Sequence, residues 1–597
     1  MSEKRPHSLK EVEFEPLGPV FPSPSDWRDQ FLYHLLVDRF NDGGRSEPYR
    51  PDLPRNRDDA AGEVWQGGTL KGITEKLDYI SDLGCTAVWL SPIFKNRIEL
   101  DTYHGYGIQN YLEIDPRFGS EEDLRGLVQE AHKTGIRVIL DVVLNHTGDN
   151  WAYPGDDVYY YWKGVRFPFG FWREVGEVEP SLKRAGCKLQ IGNFCLREEG
   201  EGQGAGVELA SEDAVWPREF QNQDWYRRKG RIRNWDDFPE TRDGDFCSLK
   251  ELDTSNPEVL SALIDSFKRW IAVADVDGYR LDAAKHIEES STAIFCNAIR
   301  EYAQSIGKKN FFLFGEVVGG DLFIDQYIGR NVRLPGTNER FPSLDAALDF
   351  PLWSVLEPVI KGFENPAVLR QRYDRFRDLY ADHGRAGTYF VTFVDNHDQI
   401  GRSPTARFLH NDSYQKQAVL AVGYLLTSLG IPCIYYGTEQ GFDGGGDGDK
   451  YIRECMFGGD WGAFGTTGHH FFNQDHHLYQ EISRIAGIRA EEPALRYGRQ
   501  YFREISGNGT DFGHPIDGHC TLAYSRILDD AEILMALNLD AAPRSDFVTV
   551  DRNLTPAGRE MTNLLDKKRR VEVASADGRS AVEVPLEGHE MAMLKLA

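Results

Sequence analysis

The stretch Val276–His286, VDGYRLDAAKH, sets an arginine, an aspartate, a lysine and a histidine into a run that otherwise reads as a buried strand. A strand sends alternate side chains to opposite faces, so Arg280 and Asp282 share one face about 6–7 Å apart. An isolated buried aspartate tends to protonate, whereas a neighbouring guanidinium holds it ionised. The pattern is that of a carboxylate kept charged, for chemistry or as a structural ion pair. The surroundings of the stretch decide which.

Those surroundings repeat. Short β-branched and aromatic runs alternate with amphipathic segments that end near glycine. The strand-like runs are FLYHLLVDRF from Phe31, TAVWLSPIF from Thr86, IRVILDVVLNH from Ile136 and VDGYRLDAA from Val276. They continue with NFFLFGEVV from Asn310, AALDF from Ala346, TYFVTFVDNHD from Thr388 and IPCIYYGTEQ from Ile431. Between them lie helical segments such as EEDLRGLVQEAHKTG, NPEVLSALIDSFKRWIAVA and SYQKQAVLAVGYLLTSLG, with left-handed caps expected at Gly135 and Gly430. Eight strands in alternation with helices predict an α/β fold, a closed parallel (β/α)₈ barrel (TIM barrel) rather than an open doubly wound sheet.

Two regions break the alternation. Residues 148–247 are rich in Trp, Tyr, Gly and Arg without clear period, and an insertion of that length predicts a subdomain over one barrel end. After residue 492 come short alternating runs, CTLAYSRI, EILMALNL, VEVPL and EMAMLKL, which predict a C-terminal antiparallel β-sandwich over 493–597. The barrel thus takes 30–147 and 248–492, and the proline-rich residues 1–29 read as an extended arm.

Composition narrows the partners. The formal net charge of -26 repels nucleic acid and anionic membrane surfaces, and leaves uncharged polar substrates open. No signal-peptide core or membrane-length apolar run is present, so a cytoplasmic protein is expected. The 8 cysteines include no CxxC pair and read as free thiols, although Cys187 and Cys195 are near enough in sequence to bridge. Nothing in the sequence speaks to oligomeric state.

The charges of the strands gather at their C-terminal ends, where barrels build active sites: Asp141, Asn145 and His146 on the third, Arg280 and Asp282 on the fourth, Glu316 on the fifth, His397 and Asp398 on the seventh. Asp282, Glu316 and Asp398 would therefore converge. Retaining cleavage of a glycosidic bond needs a carboxyl pair about 5–5.5 Å apart, one ionised and one protonated. Arg280 beside Asp282 favours its charged form, while the apolar FFLFG before Glu316 favours the neutral one. Asp282 is thus predicted to attack and Glu316 to protonate. A metal-dependent hydrolase would show HxH on a strand or HExxH, and neither is present. GHHFFNQDHH near His469 reads as a sugar-side loop, and DGGGDGDK at Asp443 lacks full calcium-loop spacing.

Taken in order, the motifs GCTAVWLSP, DVVLNH, ELDTSNPEV, GYRLDAAKH, FGEVV, FVDNHD and GIPCIYYGTEQ resemble glycoside hydrolase family 13, the α-amylase family. The resemblance implies the same barrel, a B domain after the third strand and a C-terminal β-sandwich. It implies Asp282 as nucleophile, Glu316 as general acid/base and Asp398 as a third carboxylate gripping the distorted sugar. It also implies that Arg280 orients Asp282, that His146 and His397 bind hydroxyls of the cleaved ring, and that Tyr106 in YHGYG stacks on it. Gly107 stands where the family often has tryptophan. Lys285 and His286 resemble the ending found in α-amylases that act on longer α-1,4-glucans, with Lys285 near the departing sugar. A structural calcium ion (Ca2+) is implied at Asn145, Glu251 and the His286 carbonyl, with Glu251 replacing the usual aspartate.

The leading expectation is a retaining α-glucan hydrolase acting on starch, glycogen or maltodextrins, with an α-glucan transglycosylase (glucanotransferase or trehalose-synthase-like) as the alternative. Trp216, Trp225, Tyr226 and Trp235 are the acceptor-side candidates that would separate them. A non-catalytic binding protein on this scaffold is disfavoured by the intact set of three acids.

Overall fold

The computed structural model of the chain describes residues 6–155, 158–161, 164–173, 189–191, 194–196, 213–328, 332–333, 340–380, 383–400, 405–410 and 414–597. The proposed Cys187–Cys195 pairing lies outside the described residues. Elsewhere Cys85, Cys247, Cys296, Cys433, Cys455 and Cys520 are free thiols.

Eight short strands close into a parallel barrel: β1 (Leu32–Leu35), β2 (Ala87–Leu90), β3 (Arg137–Val143), β4 (Gly278–Asp282), β5 (Phe312–Gly315), β6 (Ala346–Leu348), β7 (Phe390–Thr392) and β8 (Ile431–Tyr435). Each strand pairs with its sequence neighbours, and β1 closes the ring against β8 with Leu32 opposite Cys433. All eight runs named above supply a strand. The AALDF run divides, since Phe350 starts the helix Phe350–Ile360 and only Ala346–Leu348 remains extended.

Alternation explains both layers. Tyr33, Leu35, Val138, Leu140, Tyr279 and Leu281 point outward into the core beneath the helices. The intervening residues Leu32, Trp89, Ile139, Phe312, Phe314 and Val391 fill the barrel interior. The helix Glu121–Lys133 is capped by a Ser120–Asp123 box and is followed by Gly135 at φ +80, as expected of a left-handed cap. Gly430 differs. The helix Gln415–Thr427 stops before an extended Ser428, and Gly430 at φ +133 instead approaches Thr392, whose Cγ2 would lie 2.4 Å from any Cβ. Among the described residues, no helix is long and apolar enough to cross a membrane.

The described part of the N-terminal arm, from residue 6, is docked on the barrel. Trp27 plugs the lower mouth of the barrel, stacking on Phe312 at 4.5 Å, and Phe21 stacks on His132 at 4.1 Å. At the upper mouth, His146–Thr147 and Lys250–Glu251 pair antiparallel and form the neck of the insertion after β3. Beyond Gly498 a nine-stranded antiparallel sheet runs from Arg499 to Leu596, its two halves enclosing a core of Leu534, Val548, Met561, Val573, Val582 and Leu594.

Candidate active site

Inside the barrel the apolar filling gives way to charge in its uppermost layer. Arg280 follows Gly278 and precedes Asp282 on the inward face of β4, and in register it lies opposite Asp141 of β3. Its guanidinium is fully buried. Nη1 donates to Asp282 Oδ1 at 2.7 Å and to both Asp141 oxygens at 2.9 Å, while Nη2 lies 2.7 Å from Glu316 Oε2. The Ala283 N–H also donates to Glu316 Oε2, at 3.1 Å. One guanidinium thus gathers carboxylates from β3, β4 and the end of β5.

This overturns the electrostatic reason given from sequence for separating the two acids. Arg280 does not belong to Asp282 alone, because a planar fork with donors on both terminal nitrogens serves several carboxylates at once. Burial pushes Asp282 up to about 7, opposed by Arg280 and reinforced by Asp141 and Asp398. Burial likewise raises Glu316 against Arg280, and raises Asp141 to about 7. Three buried carboxylates around one cation cannot all stay ionised near neutrality, so the cluster keeps a proton in reserve.

Asp398 differs. Burial acts to raise its carboxyl, but His397, Arg453 and Arg280 outweigh burial and hold it well below the usual carboxylate range. His397 Nε2 lies 2.9 Å from its Oδ2, and Arg453 Nη2 lies 2.6 Å from its Oδ1. Tyr106 bridges the two halves of the site. Its hydroxyl donates to Asp141 Oδ2 at 3.0 Å and sits 2.9 Å from His397 Nε2, with its ring parallel to that of His397.

A family model for the α-amylase catalytic domain matches residues 34–476. The chain belongs to the α-amylase family. An α-amylase of Streptomyces lividans is 30% identical over 592 residues, 94% of this chain and 60% of that protein, so the chain spans less than two thirds of this relative. A cyclomaltodextrin glucanotransferase of Klebsiella oxytoca is 27% identical over 79% of this chain and 66% of its own length. The solved α-amylase of Geobacillus thermoleovorans, complexed with acarbose, superposes with a TM-score of 0.64 at 25% identity, covering 96% of this chain and 99% of that one.

The other residues that the family resemblance singled out are distributed around this cluster. His146 is buried in the neck, with Nε2 unpartnered, and burial lowers its pKa to about 3, leaving a neutral ring. The His286 ring bonds the Thr241 carbonyl, and burial lowers it to about 4. Lys285 is half-buried and donates its backbone N–H to the Glu316 carbonyl at 3.3 Å. Asn145 Nδ2 donates to Glu251 Oε2 at 2.7 Å, while Asn145 Oδ1 is buried without a partner. Burial drives the Glu251 carboxyl well above its usual range despite Arg227 nearby. Among the described residues, no group of three or more His, Cys, Asp and Glu could hold a metal ion.

The four acceptor-side candidates differ in exposure. Trp216, Trp225 and Tyr226 are buried; Trp225 and Tyr226 join the apolar core that continues from the barrel, and Tyr226 packs against Trp151 and Trp172. Trp235 alone of the four is open, at 40% exposure, with its ring edge-on to Phe246 and 6.0 Å from His286. Gly107 is closely surrounded. A Cβ there would meet Asn96 Oδ1 at 2.9 Å, and its own carbonyl lies 2.4 Å from where a Cβ on Gly148 would be.

Sequence reading also passed over residues. Trp89 Nε1 donates to Asp141 Oδ2 at 3.2 Å, and Arg453 donates from Nε to the His397 carbonyl at 2.9 Å. Trp89 reads as barrel filling, and Arg453 lies beyond the last strand in a loop without period. The DGGGDGDK loop shows no cation cradle: Asp447 accepts from the Thr405 N–H and Asp449 pairs with Arg453. His469 and His470 form a short strand against Glu47–Pro48, and His476 caps the helix His477–Glu491.

Proposed function

We propose that the chain is a retaining α-glucan hydrolase that cleaves α-1,4-glucosidic bonds of starch, glycogen or maltodextrins through a covalent glycosyl-enzyme. The observation that carries this is the single Arg280 guanidinium binding Asp282 and Glu316 from adjacent strands. A retaining pair must stand that close, with one proton between its two members.

In this reading Asp282 attacks the anomeric carbon while Glu316 delivers its proton to the departing oxygen. Arg280 donates to Asp282 and stands 2.7 Å from Glu316 as an ion pair, and so favours whichever is ionised. Glu316, as carboxylate, then takes a proton from water as that water attacks, and Asp282 leaves. Asp398, kept ionised, grips two hydroxyls of the distorted ring more tightly as positive charge develops. Tyr106 offers a face to the ring, and the unpartnered His146 Nε2 offers a hydrogen-bonding atom to a hydroxyl. His286 lines the side of the departing sugar with Lys285.

Asn145 and Glu251 fit a hard cation. An orphaned buried amide oxygen beside a buried carboxylate supplies the donor chemistry calcium prefers. Such an ion would be held by Asn145, Glu251 and the His286 carbonyl, and would pin the insertion to the barrel by neutralising Glu251. Cytoplasmic residence is part of the same proposal, supported by the buried free thiols at Cys85, Cys296, Cys433, Cys455 and Cys520.

Two experiments test the reading. Maltoheptaose should yield only shorter products; longer or isomeric ones would favour the transglycosylase that the Klebsiella relative's name suggests. With Glu316→Gln and an α-maltosyl fluoride, whose leaving group needs no acid, intact mass should show a glycosyl adduct on Asp282. Unmodified protein throughout turnover would sink the covalent route.

A further inference from the structure

A cavity of about 590 Å³ lies on one flank of the barrel mouth, between the loops that leave β5 and β7 and the two helices after β6, Phe350–Ile360 and Ala367–Tyr380. That is the size of a small-ligand site. Trp353, Val355, Val368 and Ile400 supply apolar lining, and Gln371 and Arg375 stand exposed at the rim. None of these residues has a part in the reaction described above.

The cavity and the catalytic acids share a wall. Val318 and Ile400 line it two residues beyond Glu316 and Asp398, so at most about 7 Å of extended backbone separates each acid from the lining. Gln399, between Asp398 and Ile400, sits at φ +46, and its Oε1 accepts from Trp353 Nε1 at 3.0 Å. Its Nε2 donates to Asp395 Oδ1 at 2.8 Å, which ties this wall to β7. Arg372, also in the lining, is buried and donates to both Asp349 oxygens and to Asp321, while its Nε is left without a partner. Arg372 and Arg375 stand against Asp321 and Asp349. The charges around the cavity therefore balance, which suits a neutral polar ligand better than an anion.

Position in the ring narrows what that ligand is. The strand order sets β4 and β8 opposite each other across the barrel. The departing sugar is assigned to Lys285 and His286, after β4, while Arg453, after β8, holds Asp398. A linear chain thus crosses the mouth from the β8 side to the β4 side. The insertion after β3 bounds one flank of that path, and the cavity occupies the other. Along an α-1,4-glucan, O1 and O4 carry the backbone, and the C6 hydroxymethyl group projects sideways. We propose that the cavity receives a glucosyl branch joined through that O6, so that the enzyme cleaves α-1,4 bonds directly beside an α-1,6 branch point. Trp353 and the aliphatic side chains meet the apolar face of the branch sugar, and Gln371 and Arg375 meet its hydroxyls.

This inference rests on the α-glucan hydrolase reading, and two substrates keep their failures apart: maltoheptaose, and the same heptasaccharide with a single α-1,6-glucosyl branch on its central ring. Wild type should cleave both with similar kcat/KM and release products whose branch sits on a terminal ring. Products that always keep linear glucose on both sides of the branched ring overturn the proposal. Val368→Trp fills the cavity, and Gln371→Ala with Arg375→Ala strips its rim. Each should lower kcat/KM on the branched substrate roughly tenfold and leave that on maltoheptaose unchanged. A folded filled variant that handles both substrates as wild type does, or loses equally on both, overturns the proposal. If Val368→Trp fails to fold, the rim variant decides by the same ratio. Hydrolysis of maltoheptaose without cleavage beside the branch refutes the cavity assignment alone, whereas cleavage of neither refutes the hydrolase reading with it.

Discussion

Asp282 shows how one side chain carries cost and purpose together. Burial lifts its carboxyl to about 7 from an ordinary 3.8, so folding favours its protonated form. The sign of the consequence is fixed: the native state is penalised as pH rises through that window. Asp282→Asn should therefore melt at a higher temperature than wild type above pH 7, and lose the advantage as pH falls towards 4. The same change should lower kcat on maltooligosaccharides on the order of ten-thousandfold or more. Thermal scans at several pH values, paired with the assay, check both halves. A melting difference that grows towards low pH would contradict the sign. Asp398 belongs to the opposite case: its depressed pKa stabilises the fold above the ordinary carboxylate range, and that stability is lost as acid protonates it.

At the scale of elements, space around glycine separates two outcomes. Gly126 sits inside the helix Glu121–Lys133, and a Cβ there would meet nothing within 4 Å. Gly126→Ala should stabilise the protein by about 0.5–1 kcal/mol by reducing the freedom of the unfolded chain. Gly148 follows the neck strand, and a Cβ there would meet the Gly107 carbonyl oxygen at 2.4 Å. Gly148→Ala should cost roughly 1–3 kcal/mol as the neck shifts, and should lower activity with it. Urea unfolding of the two variants measures both, and a stable, fully active Gly148→Ala protein would mean the contact is not tight. The neck also carries the calcium proposal. Chelator should lower the melting temperature of wild type and leave that of Glu251→Gln nearly unmoved. Equal sensitivity in both would remove Glu251 from the site.

For the whole molecule, the C-terminal sheet and the barrel share one apolar core, in which Leu522, Tyr524, Met535 and Met591 pack with Leu425, Leu426 and Ile485. Arg526 locks the seam, fully buried, donating to the Thr427 carbonyl at 2.6 Å and twice to the Gly498 carbonyl. Arg526→Leu leaves two buried carbonyls without donors and should cost roughly 2–4 kcal/mol. Because the core is continuous, calorimetry of the wild type should show barrel and sheet unfolding together. Two well-separated transitions would divide them.

The sequence by itself determined the barrel and the cast of the site. Period-two burial in each strand is local, so the strands, the inward face shared by Arg280 and Asp282, and the C-terminal placement of Glu316 and Asp398 could all be read from spacing. What only the tertiary structure decided was the sharing of charge. That Arg280 serves three carboxylates, that Trp216, Trp225 and Tyr226 turn inward, and that His34 meets His397 depend on side chains brought together from different segments of the chain, 363 residues apart in the last case. Hydrogen bonds and desolvation act over a few ångströms in space, and linear order holds no record of those distances.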